Sequence, residues 1–217
     1  MVYIAFEGAE GSGKSTQASI LAGKIDAVLT REPGATSLGK ELRSLLLSKD
    51  SHYISPIAEA LLMAADRAQT LRTIVEPALA QGQAVITDRS VYSSMAYQGG
   101  GRDLGIEFVR QLNEPAIGET WPDLVVFVDV HPTEAMGRLN RGLDRFETAG
   151  DRFHLEVYEA YKSMAEQDPQ RWIVVDGVGS IDEVAERVWQ SLIGRHPELS
   201  ERRTSDPGSP EPESGER

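Results

Sequence analysis

The chain has 217 residues, no cysteine and a formal net charge of −12. The absence of cysteine excludes disulfides, thiolate metal sites and cysteine nucleophiles, and the negative charge disfavours a surface for binding duplex nucleic acid. The length suits one α/β domain, and 40% of the residues are hydrophobic, which is enough for a sizeable core. The sequence shows no signal-type segment and no apolar run long enough to span a bilayer, so we expect a cytoplasmic protein without membrane or nucleic-acid partners.

The strongest motif follows a short apolar strand at residues 2–6. It has the spacing of a phosphate-binding loop, and the residues expected to bind ATP are Gly8, Ala9, Glu10, Gly11, Ser12, Gly13, Lys14, Ser15 and Thr16. The glycines allow the backbone to turn close to phosphate oxygens. Lys14 is placed to reach the β- and γ-phosphates, and the Ser15 hydroxyl to bind Mg²⁺. A glycine-rich turn that binds nothing is the alternative, but strand, loop and following helix together favour phosphate binding.

Four further apolar segments predict strands, and helical patterns lie between them. The strands are expected at residues 27–30, 84–87, 124–130 and 172–177. This alternation predicts an α/β fold, a doubly wound five-stranded parallel sheet with helices on both faces. The domain is expected to cover residues 1–195. The polar segment 196–217 lacks apolar periodicity and predicts a disordered tail.

Charged residues directly follow two of the predicted strands. At the carboxyl edge of a parallel sheet such residues lie where ligands bind. Arg31, taken alone, is more simply a solvated loop charge. Asp88 and Arg89 together favour function, with Asp88 near Mg²⁺ and Arg89 as a clamp for a phosphoryl group.

Polar residues also interrupt the apolar helices. Arg67 lies in a helical stretch at residues 54–80, where a structural ion pair and a substrate contact are equally compatible with the pattern. Gln98, in a short helix at residues 93–102, carries an amide suited to a base edge, and Tyr97 adds a ring and a hydroxyl. Residues 138–152 are dense in charge and predict a mobile basic lid, with an exposed charged helix as the alternative.

Taken together, these segments resemble the bacterial thymidylate kinases, which are P-loop nucleoside monophosphate kinases. The resemblance covers residues 1 to about 195, with the segments in the family's order and spacing. The segments that carry it are Phe6-Glu7-Gly8-Ala9-Glu10-Gly11-Ser12-Gly13-Lys14-Ser15-Thr16, Thr30-Arg31-Glu32-Pro33-Gly34, Ala65-Asp66-Arg67-Ala68-Gln69, Asp88-Arg89-Ser90, Ala96-Tyr97-Gln98-Gly99-Gly100-Gly101-Arg102 and Asp144-Arg145-Phe146-Glu147. The resemblance implies the P-loop NTPase fold, ATP and dTMP as substrates, Mg²⁺ as cofactor and a homodimer.

The resemblance also implies roles for residues around the acceptor nucleotide. Arg67 and Arg89 would hold the dTMP phosphate, and Gln98 would bond to the thymine edge. Tyr97 would lie against the sugar, and Glu10 near its 3′-hydroxyl.

Further implied contacts complete the two nucleotide sites. Arg31 and Pro33 belong to the loop over the acceptor, and Met63 stands where the family often has a phenylalanine that stacks on thymine. Ser15 and Asp88 would organise Mg²⁺.

The resemblance also implies which residues neutralise negative charge in the transition state. These are Lys14, Arg89 and one arginine of the lid, for which Arg141 and Arg145 are both candidates. A kinase for another nucleoside monophosphate and a non-catalytic nucleotide-binding switch remain the alternatives for the whole chain.

Overall fold

A computed structural model describes residues 1–48, 53–139 and 144–202 of the chain. These residues form the five expected strands, which are β1 Tyr3–Glu7, β2 Val28–Arg31, β3 Val85–Asp88, β4 Leu124–Asp129 and β5 Trp172–Asp176. Their helices are α1 Lys14–Lys24, α2 Ser37–Leu47, α3 Pro56–Thr70, α4 Glu76–Ala80, α5 Val91–Ser94, α6 Ile106–Ile117, α7 Pro132–Gly137, α8 Asp151–Gln167 and α9 Ile181–Arg195. Two π-helical turns, Leu71–Val75 and Met95–Gly101, continue α3 and α5. Within these described ranges, none of the helices is both long and apolar enough to cross a lipid bilayer.

The five strands form one parallel sheet in the order β2-β3-β1-β4-β5. The predicted doubly wound fold is therefore confirmed. Because β1 lies between β3 and β4, the chain changes direction across the sheet at β1, and the loop after β1 opens into the crevice at this point. Phe6 is in register with Asp88, so the phosphate loop and the end of β3 begin side by side.

Helices cover both faces of the sheet, and each face has its own apolar core. Val125 and Phe127 of β4 pack on one side in a cluster that includes Tyr161 of α8. Val126 packs on the other side in a cluster that includes Leu192 of α9. Alternate side chains thus enter different cores, which explains why this strand is apolar throughout rather than at every second residue.

A close approach of two backbones requires glycine in the phosphate loop. Gly11 has φ 78°, and a Cβ at this position would lie 2.0 Å from the carbonyl oxygen of Ala135 in α7. No other residue type fits this point without displacing α7. The phosphate loop therefore packs directly against α7, the helix that precedes the predicted lid.

The carboxyl-terminal segment differs from the prediction. Residues Pro197–Arg202 form a 3₁₀-helix, and Leu199 is only 1% exposed within the core that α1 and α9 share. The expected disorder from residue 196 is therefore wrong for residues 196–202, because a single apolar side chain can anchor a short segment without any periodic pattern. Residues 203–217 of the predicted tail lie outside the described residues.

Candidate functional site

A cavity at the carboxyl edge of the sheet collects residues from the phosphate loop, α2, α3 and the segment after β3. All eight residues predicted to bind substrate line it, namely Glu10, Arg31, Pro33, Met63, Arg67, Arg89, Tyr97 and Gln98. Lys14, Ser15 and Asp88 line the same cavity. Segments far apart in the sequence therefore meet at the topological switch point of the sheet, as the fold requires for a ligand site.

Lys14 is the first residue of α1 and is buried in the phosphate loop. Its Nζ donates to the carbonyl oxygen of Ala9 at 3.2 Å and lies 3.8 Å from a carboxylate oxygen of Glu10. Burial and the nearby charge of Arg89 lower the pKa of Lys14. A phosphate bound by the loop would offset both effects, because it would supply opposite charge where the ammonium has lost its water.

Ser15 and Asp88 lie together beside Lys14. The Ser15 Oγ donates to Asp88 Oδ2 at 2.5 Å. Asp88 Oδ1 is buried and has no hydrogen-bond partner among the described residues. A hydroxyl and a carboxylate with an unshared oxygen are the donor set that Mg²⁺ takes in this kind of loop, and the ion completes its shell with water and phosphate oxygens. The residues present therefore fit Mg²⁺.

Arg89 is held rigidly at the centre of the cavity. Its backbone has φ 73°, and its guanidinium donates to the Tyr97 hydroxyl at 3.0 Å, to Ser93 Oγ at 3.0 Å and to a carboxylate oxygen of Glu10. It also stacks 4.8 Å from the centroid of the Tyr97 ring. Burial is the largest single effect and opposes its charge, but Glu10, Tyr97, Tyr161 and Asp88 together outweigh burial and raise the pKa of Arg89. Arg89 is therefore a fixed cation, suited to a phosphate.

Behind Arg89 lies a buried carboxylate that the sequence analysis did not single out. The hydroxyls of Ser93 and Tyr161 donate to Glu7 at 2.5 and 2.9 Å, while both accept N–H bonds from Arg89. Burial raises the pKa of Glu7, and Arg89 opposes the shift. Glu7 sets the direction of both hydroxyls, so that they present acceptors to the guanidinium. The sequence did contain a signal for this residue, because Glu7 is a charged side chain in an otherwise apolar strand.

Arg67 lies elsewhere in the cavity and shares no hydrogen-bond partner with Arg89 in the described structure. It donates to Glu32 at 2.8 Å, to Ser94 Oγ at 3.2 Å, to the Ser90 carbonyl oxygen at 2.9 Å and to Asn113. Four of its five N–H donors are thus used by the protein. Arg67 therefore forms the structural ion pair with Glu32, and it also lines the cavity, so the substrate contact stays a prediction.

Tyr97 and Gln98 lie in the π-helical turn that ends in three glycines. A Cβ at Gly101 would lie 2.5 Å from the Phe153 ring, so the glycines let this turn pack against α8. Burial raises the pKa of Tyr97, which keeps its hydroxyl protonated. The Gln98 Nε2 donates to Glu59 at 2.9 Å, and its Oε1 is buried without a partner among the described residues.

Helix α2, which contacts the loop after β2, supplies a cavity residue that the sequence analysis missed. Arg43 of α2 lines the cavity and donates to the Pro33 carbonyl oxygen at 2.9 Å, while Arg31 at the end of β2 is exposed. Burial and the charge of Arg31 lower the pKa of Arg43. A single arginine in an amphipathic helix is compatible with a solvated charge, so only the packing of α2 against this loop identifies Arg43. Other cavity residues missed from the sequence are Glu32, Leu47, Ser90, Ser93, Ser94, Asp144 and Phe146.

The predicted lid at 138–152 is only partly described, because Arg141 lies outside the described residues. In its described part Phe146 and Glu147 are buried, whereas Thr148 and Arg152 are exposed. Arg145 does not line the cavity. Its Nε donates to the Leu46 carbonyl oxygen at 2.8 Å, and its terminal nitrogen lies 2.7 Å from a carboxylate oxygen of Glu59. The structure therefore does not bring Arg145 to Lys14.

Comparison with known proteins gives a consistent result. The family model described as thymidylate kinase matches residues 6–188. A thymidylate kinase of Synechococcus sp. (strain JA-3-3Ab) is 44% identical over 199 residues, covering 89% of this chain and 96% of its relative. One of Bifidobacterium longum (strain NCC 2705) is 41% identical over 207 residues, covering 92% and 98%.

A solved structure agrees with these sequences. The crystal structure of thymidylate kinase from Ehrlichia chaffeensis superposes with a TM-score of 0.73 at 30% identity, covering 88% of this chain and 97% of that one. The residues that the family model matches, 6–188, contain both the phosphate loop and the segments that line the cavity. The chain belongs to the thymidylate kinase family of nucleoside monophosphate kinases.

Proposed function

We propose that this protein transfers the γ-phosphoryl group of ATP to dTMP, giving dTDP and ADP, as a step of dTTP biosynthesis. The observation that carries the proposal is the single cavity in which the phosphate loop, Arg89 and the Gln98 amide meet. Such a cavity can hold a donor phosphate and an acceptor nucleotide side by side. Family membership gives the substrate pair its identity.

The donor end is the phosphate loop. Its amides and the amino end of α1 favour the ATP phosphates, and Lys14 is placed to contact them. Ser15 and Asp88 would hold Mg²⁺, which would neutralise part of the charge of the ATP phosphates. Glu10, between Lys14 and Arg89, keeps both cations in place and lies on the acceptor side.

The acceptor end begins at Arg89. Its fixed guanidinium would hold the dTMP phosphate, with Arg31 of β2 and Arg43 of α2 as further cations beside the loop that contains Pro33. Tyr97, stacked against Arg89, would lie against the sugar and disfavour a 2′-hydroxyl.

The base would lie deeper, among Met63, Gln98 and Arg67. Met63 offers an apolar surface and Gln98 an amide. Arg67 has one donor left, which suits a carbonyl oxygen of the base better than a charged phosphate. We therefore propose that Arg67 contacts the base rather than the dTMP phosphate. Removing it would also leave Glu32 buried without its cation, which costs stability by itself.

The chemistry follows from positioning and charge. An oxygen of the dTMP phosphate attacks the γ-phosphorus in line with the leaving ADP oxygen, and because that oxygen is already ionised, no strong base is required. Lys14 and Arg89 neutralise charge that spreads in the transition state. A lid arginine adds to them, and Arg145 would have to leave Glu59 to do so, which favours Arg141. A closed lid keeps water from the γ-phosphate.

The proposal includes a homodimer in the cytoplasm, without nucleic-acid or membrane partners. In support of a dimer, the neighbouring helices α2, α3 and α6 carry large exposed apolar side chains, namely Leu38, Leu45, Ile57, Leu61 and Phe108. Light scattering of the purified protein tests this. A dimer that Leu61→Glu converts to monomer would support the interface, and a monomeric wild type would refute it.

Product analysis tests the activity. The protein is incubated with Mg-ATP and, separately, dTMP, dUMP, dCMP, dGMP or AMP, and diphosphates are separated by chromatography. We expect dTDP to form fastest, with little ADP when no acceptor is present. Faster conversion of another monophosphate would make this a different nucleotide kinase. ATP binding without any diphosphate product would indicate a nucleotide-binding switch.

A further inference from the structure

Glu59, in the first turn of α3, is fully buried with 0% of its surface exposed. Three side chains from separate segments converge on its carboxylate. Gln98 donates to Oε1 at 2.9 Å, Arg102 approaches both oxygens at 3.3 Å, and a terminal nitrogen of Arg145 lies 2.7 Å from Oε2. Buried carboxylates are costly unless they are paired, so these contacts explain how Glu59 is tolerated.

The contact with Gln98 has a chemical direction. An ionised carboxylate only accepts hydrogen bonds, so Gln98 must turn its NH₂ group toward Glu59. Rotating the amide by half a turn would place Gln98 Oε1 against a carboxylate oxygen, which is repulsive. The amide orientation is therefore set by Glu59 rather than by the backbone of the π-helical turn.

Because the NH₂ group of Gln98 faces Glu59, its Oε1 atom faces away from Glu59. Gln98 is 1% exposed and lines the cavity, and its Oε1 has no hydrogen-bond partner among the described residues. A buried acceptor of this kind is unfavourable until a donor reaches it. The site therefore offers an acceptor, and a base that brings an N–H to this point satisfies it.

We propose that Glu59 is a positioning residue for base selection, which fixes the Gln98 amide so that Oε1 faces a ring N–H of the bound base. This inference rests on the proposed function. Thymine and uracil carry hydrogen on N3, whereas cytosine carries a lone pair there and would meet Oε1 acceptor to acceptor. The second N–H of the Gln98 amide suits the neighbouring carbonyl oxygen of thymine. Glu59 thereby excludes cytosine without touching the base.

Arg102 and Arg145 extend this arrangement. The Arg102 guanidinium lies 4.6 Å from the Phe153 ring centroid, and that of Arg145 lies 4.7 Å from the Phe146 ring centroid. Glu59 is thus anchored by two cations that are themselves held by aromatic rings, Phe153 of α8 and Phe146 of the lid segment. Because the Glu59 carboxylate is anchored, it cannot move away if the Gln98 amide rotates, and the amide keeps its orientation.

Glu59→Gln is the direct test, because it keeps the size but adds a donor, which allows the Gln98 amide to rotate. The ratio of kcat/KM for dTMP to that for dCMP should fall by about tenfold or more, while the KM for ATP stays within about twofold. Arg102→Gln is the matched control. It removes one of the two cations that contact Glu59, but Arg145 still anchors the carboxylate facing Gln98, so the ratio should remain that of the wild type.

The other outcomes are decisive as well. A folded Glu59→Gln protein with an unchanged ratio, or an equal loss for every monophosphate, would overturn the proposal and leave Glu59 a structural residue. If that variant does not fold, Glu59→Met combined with Arg102→Met replaces the buried carboxylate and one of its cations with apolar groups of similar size. The same fall in the ratio is then expected, and an unchanged ratio would overturn the proposal. A wild type that does not phosphorylate dTMP would instead refute the proposed function and this inference with it.

Discussion

Ser15 Oγ lies 2.5 Å from Asp88 Oδ2, which joins the start of α1 to the end of β3 at the point where both meet the cavity. The other Asp88 oxygen is buried and has no hydrogen-bond partner in the part of the chain that the structure describes.

Asp88→Asn keeps the shape of the side chain but removes the negative charge that a divalent cation needs. We expect the Mg²⁺ concentration for half-maximal activity to rise by about tenfold or more. Magnesium titrations at fixed ATP measure this. Asp26→Asn, at an exposed position, should match the wild type, and an unaltered titration of the Asp88 variant would remove this residue from the metal site.

Lys14→Ala tests the phosphate loop. Lys14 is buried in the phosphate loop beside Glu10 and Arg89, and its ammonium is the cation that this loop would offer to the γ-phosphate. We expect kcat to fall by roughly 10²–10³ with little change in thermal unfolding. Lys40→Ala, on the exposed side of α2, serves as the control. Near-normal turnover by a folded Lys14 variant would contradict the assignment.

Gln98→Ala tests the base site. It removes the amide that Glu59 orients, and losing such a hydrogen-bond set costs about 1–3 kcal/mol, or roughly one to two orders of magnitude in kcat/KM for dTMP. The KM for ATP should change much less, because the donor end lies across the cavity. Steady-state kinetics with each substrate varied in turn separate the two effects, and Gln111→Ala, on the exposed surface of α6, should alter neither. A selective loss of ATP binding would show that the acceptor site is misplaced.

Glu32 predicts a pH dependence of stability. Burial raises its pKa to about 7, and its ion pair with Arg67 only partly opposes the shift. In the unfolded chain its pKa is about 4.3, so between these values the folded state holds a proton that the unfolded state releases. The stability from this group is complete below pH 4.3 and is lost as the pH rises through 7.

The Glu32→Gln variant isolates this effect because it cannot titrate. We expect the free energy of unfolding of the wild type, minus that of the variant, to decrease by up to about 4 kcal/mol across the window. Urea denaturation of both proteins at a series of pH values measures the difference. A difference that stays constant would mean that Arg67 keeps Glu32 ionised throughout.

Leu199 predicts where the chain can be shortened. It is 1% exposed in the core with α9, so truncation after Arg195 removes a buried leucine and should cost about 2–4 kcal/mol. Truncation after Arg202 removes only the polar remainder, which has no apolar pattern to bury, and should change stability by less than about 0.5 kcal/mol. Thermal unfolding of both truncated proteins is the measurement. Equal melting temperatures for the two would show that Leu199 contributes nothing.

The sequence alone determined the fold class and the phosphate loop, because both depend on local patterns. Apolar strands, helical periodicity and glycine spacing act over a few residues, and the parallel sheet follows from their alternation. Through the family resemblance, the sequence also identified eight substrate-binding candidates, all of which line the cavity. It could not show that Leu199 is buried, since one leucine among polar residues has no period.

The tertiary structure alone decided which polar groups face one another. Arg67 and Arg89 look equivalent in the sequence, yet one is bound to Glu32 and Asn113 and the other to Glu10. Glu59 has no local signal, since a glutamate in the first turn of a helix is common for its favourable interaction with the helix dipole. Its role arises because α3, the turn after α5 and the segment around Arg145 come together only in the folded chain, where burial turns an ordinary surface carboxylate into the group that orients Gln98.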